Sequence, residues 1–139
     1  MPAAEWRRLV ALVPAESGWW ADRVRDHFPR VSDAEEFMEM LGLGKALDWD
    51  VGRLSTGERQ RLAVVRAVCR QPSVLLLDEP TASLDEQATT LVEQLIRRCC
   101  ASGMAVLVVT HDRQQAHRLA GQHLKMVDGI VKSTEGTEA

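Results

Sequence analysis

Two adjacent carboxylates, Asp78 and Glu79, follow directly on the apolar run Val74-Leu75-Leu76-Leu77 and precede Pro80. A buried strand that ends in two acids places them where open α/β sheets bind ligands, at the carboxyl ends of strands. One carboxylate suits Mg²⁺, a hard cation that prefers oxygen, held directly or through water. Its neighbour, pointing elsewhere, can accept a proton from an attacking water. A loop that happens to begin with two acids would look the same, so the pair needs company. Upstream, Leu54-Ser55-Thr56-Gly57-Glu58 runs into a helix. Serine and glycine at a helix start expose backbone N–H groups and a hydroxyl that together suit an anion such as phosphate. Ser55 and Glu58 also have the spacing of a capping box, and both readings can hold at once. Downstream stand Ser83-Leu84-Asp85 and then Thr110-His111-Asp112, where another apolar strand ends and a helix begins. A lone histidine is usually structural or exposed. One at a strand's carboxyl end, in the same sheet as two acids, is a better candidate for a contact with a terminal phosphate.

The elements that must position these residues follow from periodicity. Arg8 to Val13 reads as a short strand closed by Pro14, and Asp22 to Phe28 as one or two helical turns. Ser32 or Asp33 is expected to cap a helix carrying Phe37, Met40 and Leu41, ended by Gly42 and Gly44. A helix from Thr56 to about Arg70 turns Leu62, Val65 and Cys69 inward and Arg59, Arg66 and Arg70 away, until Gln71-Pro72 breaks it. Val74 to Leu77 is apolar throughout, as in a strand covered on both faces, and Ala105 to Val109 reads as a second buried strand. Glu86 to about Cys100 is helical, with Leu91, Leu95 and Cys99 on one side and Glu93, Arg97 and Arg98 elsewhere. Asp112 caps a further helix, and Asp128-Gly129 joins His123–Val127 to Ile130–Lys132 as a hairpin. The tail from Ser133 is expected to fray. Alternating strands and helices with strands apolar throughout indicate an α/β fold with a mainly parallel sheet.

Composition narrows the function classes. With 139 residues the chain holds one modest domain with a real core, not two. Its formal net charge of −3 and lack of any basic run argue mildly against nucleic-acid binding. Cys69, Cys99 and Cys100 form no CxxC pair and no metal-ligand spacing, and read as small buried hydrophobes in a reducing compartment. The polar, proline-containing start does not read as a signal peptide. No apolar stretch approaches the roughly 20 residues of a membrane span, so any membrane role is expected to run through a partner.

The ordered series LSTGERQR, VLLLDEP, SLD and TH resembles the signature, Walker B, D-loop and H-loop motifs of ATP-binding cassette (ABC) ATPases, over about Arg8 to Lys132. Any one motif would be weak; four in this order are a strong signal. The resemblance implies a P-loop NTPase (RecA-like) cassette with an incomplete, mainly parallel sheet. Residues of about 18–70 would be its small helical subdomain, the rest its RecA-like core, and 133–139 a frayed tail. It implies that Asp78 organises Mg²⁺, Glu79 polarises the attacking water and His111 contacts the γ-phosphate of ATP. Ser55, Thr56, Gly57 and Glu58 would face the ATP of an opposite subunit, and Asp85 would lie at the dimer interface. The implied partners are a second ABC ATPase subunit and a transmembrane permease, with no nucleic acid. The implied place is cytoplasmic, peripheral on the inner membrane.

The sequence departs from the family in several places. The phosphate-binding pattern GxxxxGK[ST] does not occur; the only Gly-Lys pair, Gly44-Lys45, is followed by Ala46. ATP and Mg²⁺ both need that loop, so the expectation is a truncated transport ATPase, inactive alone. The family's second signature glycine and its glutamine are Thr56 and Glu58 here. Glu58 sets a carboxylate near phosphates unless it turns into solvent or pairs with Arg59 or Arg61. The usual glutamine after the first strand is also absent: either Glu16 substitutes one position late, or this branch abandons it. Trp6 is too close to the first strand for adenine stacking. Trp19 and Trp20, where the family docks its membrane partner, read equally as a docking anchor or as core filling. Without the phosphate-loop strand, Leu9–Val13, Val74–Leu77 and Ala105–Val109 can still pair side by side, but one flank of the last is unpaired. Poor stability of the isolated chain is expected. Two alternatives stay open: a degenerate cassette acting in trans on a partner ATPase, and the C-terminal lobe of a structural-maintenance or double-strand-break-repair ATPase.

Overall fold

The structure, a computed structural model, describes residues 1–119 and 121–134. It divides into two compact units, one of residues 1–109 and one from Thr110 onward, each described by itself.

The first unit is built on a three-stranded parallel sheet in the order β1 (Val10–Val13), β2 (Val74–Asp78), β3 (Ala105–Val109). Its register aligns Ala11 with Leu75 and Val106, and Val13 with Leu77 and Val108. The side-by-side pairing expected from the sequence is therefore present. The cover is not as expected. Ala11, Val13, Leu75 and Leu77 are buried on one face, where α3 (Thr56–Val68) packs near β1 and α4 (Glu86–Ala101) near β3. The opposite face is open, with Leu12 62%, Leu107 47% and Val109 53% exposed. An all-apolar strand carries two apolar faces because side chains alternate across the pleat. Only one of them finds a second layer among residues 1–109, so β3 is not a buried strand here.

Local chemistry explains where the elements begin and end. Residues expected to start the first strand instead form α1 (Ala3–Leu9), and the strand begins at Val10. The stretch Ala-Ala-Glu-Trp-Arg-Arg-Leu has Glu5 in the first turn and Arg7 and Arg8 in the last, the distribution that the helix dipole favours. Between β1 and α3 lies a helical region made of a 3₁₀ turn (Val24–His27), α2 (Val31–Met40) and two further 3₁₀ turns (Ala46–Asp48 and Val51–Arg53). Neither Ser32 nor Asp33 caps α2, whose N-cap is Arg30 without a side-chain cap. Starting at Val31 turns Ala34 and Met38 inward and leaves Asp33 in the first turn, 3.8 Å from Arg30. The loop before α3 is tied down by Val24 N–H to Trp49 O (3.0 Å) and Val51 N–H to Asp22 O (2.7 Å). Leu62, Val64, Val65 and Val68 of α3 are buried, each worth about 1.5–3 kcal/mol of apolar transfer. α3 stops at Val68, short of the expected Arg70, and Gln71 takes a left-handed φ of 50° before Pro72. In α4 the inward set is Ala88, Val92, Leu95, Ile96 and Cys99, and Glu93 is buried with them, 3.6 Å from Arg97.

The second unit contains α5 (Arg113–Leu119) and the hairpin β4 (His123–Val127)–β5 (Ile130–Thr134). Asp128 and Gly129 both have positive φ (50° and 76°), as a two-residue hairpin turn requires. Ser133 and Thr134 close the ladder opposite Leu124 and His123, so the hairpin runs past the expected Lys132 and takes in the first residues of the expected tail. Residues 135–139, the rest of that tail, lie outside the described residues.

Candidate functional site

Ser55 is the N-cap of α3. Its hydroxyl accepts the Glu58 N–H (3.1 Å), and the Glu58 carboxylate accepts the Ser55 N–H (2.8 Å), which completes a capping box. Glu58 therefore neither turns free into solvent nor pairs with an arginine. It folds back onto its own helix start, where the dipole favours negative charge. The arginines on either side of Gln60 serve the backbone instead: Arg59 donates to Val51 O (3.2 Å), and Arg61 to Gly57 O (3.3 Å) and Leu41 O (2.8 Å). These bonds hold the Ser55–Glu58 turn against the preceding loop and the end of α2.

Asp78 is the last residue of β2, half-buried, in register with Val109 of β3. Glu79 N–H extends the ladder by donating to Val109 O (2.9 Å). Its φ is 47°, in the left-handed region that a residue with a Cβ enters at a cost of about 1–3 kcal/mol. The conformation turns the chain sharply after Asp78, so two adjacent acids leave the strand in different directions. Gln60 holds this turn from α3. Its Nε2 donates to Glu79 O (2.7 Å), and its Oε1 accepts the Ser83 N–H (3.3 Å). Sequence reasoning missed Gln60. Its signal was available, since it lies one turn ahead of Val64 and two ahead of Val68 on a face that is otherwise apolar.

A second contact joins two of these segments. A Cβ at Gly57 would stand 3.1 Å from Ser83 O and 3.2 Å from Leu84 Cδ2. Any larger residue would crowd the Ser83 carbonyl and the Leu84 side chain, so glycine suits this close approach of α3 to the Ser83–Asp85 segment. The signature-like turn, the paired acids and the Ser83–Asp85 loop thus form one hydrogen-bonded assembly. Asp85 is the N-cap of α4, its Oδ1 accepting the Ala88 N–H (2.7 Å). His111 lies two residues beyond β3, in the second unit, and is exposed. Asp112 beside it accepts from Gln114 N (2.9 Å) and Gln115 N (3.1 Å), the cap expected of it. Glu16 is exposed in the bend after β1. Of the tryptophan pair, Trp20 is 71% exposed, whereas Trp19 is half-buried and packs edge-on to His27.

Among the described residues no group of three or more His, Cys, Asp or Glu could hold a metal ion.

The sequence profile of the ABC transporter family matches residues 2–82, which carry both the signature turn and the paired acids. The chain belongs to the ABC transporter family. This ABC chain is 36% identical over 122 residues to the phosphate import ATP-binding protein PstB 2 of Natronomonas pharaonis, a match that covers 86% of the chain and 43% of that protein. It is 40% identical over 114 residues to the lipoprotein-releasing system ATP-binding protein LolD of Shewanella frigidimarina, covering 81% and 47%. A metal-chelate type ABC transporter in an inward-facing conformation superposes with a TM-score of 0.74 at 25% identity, covering 91% of this chain and 57% of that one. The chain thus spans about half the length of the relatives it matches. Its fold is that of part of a P-loop NTPase cassette. No helix among the described residues is long and apolar enough to cross a membrane.

Proposed function

We propose that this chain acts as part of a transport ATPase, supplying the signature turn and the paired acids of a cassette whose phosphate cradle comes from residues outside these 139. The observation that supports this most is the assembly held by Gln60 and Gly57, which brings Ser55–Glu58, Asp78–Glu79 and Ser83–Asp85 together. In this reading Asp78 ligates Mg²⁺ and Glu79 polarises the attacking water. His111 reaches the γ-phosphate. Bound Mg·ATP would supply the γ-phosphoryl group, with a metal that neutralises charge on its oxygens and so opens the phosphorus to attack. Ser55, Thr56, Gly57 and Glu58 face the ATP of an opposite cassette, and Asp85 lies near the dimer interface. The Glu58 carboxylate, seated on the Ser55 N–H, occupies a donor that a phosphate would use, so contact in trans is weaker than a glutamine would give. The partners are a second ABC ATPase subunit and a transmembrane permease, with the chain peripheral on the cytoplasmic face of the inner membrane. Nucleic acid plays no part.

The two relatives above are named for different cargoes, phosphate and lipoprotein, so none is assigned. ATP turnover and binding of a fluorescent ATP analogue, with Mg²⁺ present, test the reading. The purified chain is expected to show neither above background. Addition of an intact ABC subunit that lacks its own signature serine should restore turnover, and Ser55→Ala in this chain should abolish that restoration. Turnover by the chain alone would refute the proposal.

A further inference from the structure

β3 (Ala105–Val109) ends the sheet on one side, and no strand lies beyond it among the described residues. Its bonds to β2 fix which backbone groups face outward. Ala105 N–H donates to Ser73 O (3.0 Å), and Val109 O accepts the Glu79 N–H (2.9 Å). In a parallel pair alternate residues bond to the same neighbour, so Ala105, Leu107 and Val109 serve β2. The N–H and C=O groups of Val106 and Val108 therefore point away from the sheet. Burial falls off in the same direction. Leu75 and Leu77 are 0% and 1% exposed, whereas their register partners Val106 and Val108 are half-buried.

The two edges of this sheet differ. β1 is closely preceded by Arg7 and Arg8 and followed at once by Pro14, and charges and proline are what keep an edge from pairing. β3 reads Ala-Val-Leu-Val-Val between Met104 and Thr110, with no charge, proline or glycine in the strand. An apolar edge without such devices is a template for another strand.

A second copy of β3 fits this edge antiparallel, about a two-fold axis at Leu107. Val106 then stands opposite the partner's Val108, and each such pair exchanges both N–H···O=C bonds of an antiparallel ladder. Every outward group of both strands is satisfied in this register. A slip of one residue would set these groups against residues that already serve β2. On the open face Leu107 meets the partner's Leu107, and Ala105 meets the partner's Val109. No like charges are opposed along the ladder, the usual obstacle to pairing a strand with itself. Edge pairing covers less than the about 800 Å² per partner of a standard interface, so the affinity is expected to be micromolar or weaker.

We propose that the chain pairs with a second copy of itself, β3 against β3, into one continuous sheet. This rests on the sheet alone and not on the transport reading.

Analytical ultracentrifugation over a wide range of chain concentration measures the association, and amide exchange followed by NMR locates it. A monomer–dimer equilibrium is expected, with the Val106 and Val108 amides protected in concentrated samples and fast in dilute ones. The Leu107 and Val109 amides should be protected throughout, because they serve β2. Leu107→Lys sets two lysines opposite each other and should raise the dimer Kd about tenfold. Leu107→Glu should do the same, and an equal mixture of the two variants should recover association as a heterodimer. Leu107 is 47% exposed, so neither variant empties the core. Exchange in the parent chain needs no variant at all. A monomer at every concentration would overturn the proposal, as would association that leaves the Val106 and Val108 amides fast. Growth beyond the dimer would overturn it too, because a two-fold pair uses up both β3 edges.

Discussion

Replacing Gln60 by leucine is the sharpest probe of how the site is held together. Leucine fills nearly the same volume, so little cavity forms, but both hydrogen bonds to the acid turn vanish. Glu79 O loses its donor at 2.7 Å and Ser83 N–H its acceptor at 3.3 Å. A buried backbone group left without a partner costs about 1–3 kcal/mol. Ser83 is exposed and its N–H can turn to water, so the cost falls mainly on Glu79 O and the net loss is about 1–3 kcal/mol. Glu79 is already in a left-handed conformation (φ 47°), so the loss falls where the backbone is strained. Urea unfolding followed by circular dichroism and tryptophan fluorescence measures it. With a slope of about 2 kcal/mol per molar urea, the midpoint should fall by about 0.5–1.5 M with the slope unchanged. Amide exchange at Ser83 should quicken, because its acceptor is gone. Gln60→Glu separates the two bonds: it can still accept from Ser83 but sets an oxygen against Glu79 O, and it should also be destabilised. An unchanged midpoint in the leucine variant would refute the idea that Gln60 clamps the acid turn to the signature helix.

The half-covered sheet predicts opposite outcomes for leucines on its two faces. Leu75→Ala empties a fully buried site and should cost about 2–5 kcal/mol, whereas Leu107→Glu, on the open face, should change stability by less than about 0.5 kcal/mol and improve solubility; an equal loss in both variants would show that the second face is covered. The cysteines should differ in reactivity, with exposed Cys100 alkylated first. Cys69 should lag at neutral pH, because burial, reinforced by Asp33, pushes its thiol from the ordinary 9.0 up to about 11. Since the unfolded chain gives up this proton first, the stability tied to Cys69 is intact below pH 9.0 and is lost as pH rises to about 11. Unfolding midpoints of the parent and Cys69→Ala across that range check the sign: the parent alone should show this extra decline.

Local sequence determined a good deal of this chain. Ser55 and Glu58 announce the capping box, Asp128-Gly129 the hairpin, and Val74–Leu77 a strand that ends in two acids, because each signal spans only a few residues of backbone. The parallel character of the sheet followed from apolar strands separated by helices, whereas the side-by-side order of β1, β2 and β3 followed from the family resemblance. What tertiary structure decided involves partners far apart in the chain. Gln60 meets Glu79 and Ser83 across separations of 19 and 23 residues, and Arg66 meets Gly18 across 48. No periodicity of 2 or 3.6 encodes such pairings. They exist only once α3 has packed beside β1 and the acid turn. The open face of the sheet has the same origin. Alternation marks Leu12, Leu107 and Val109 as apolar, but whether a second layer covers them depends on what else packs there, and that is a property of the assembled fold.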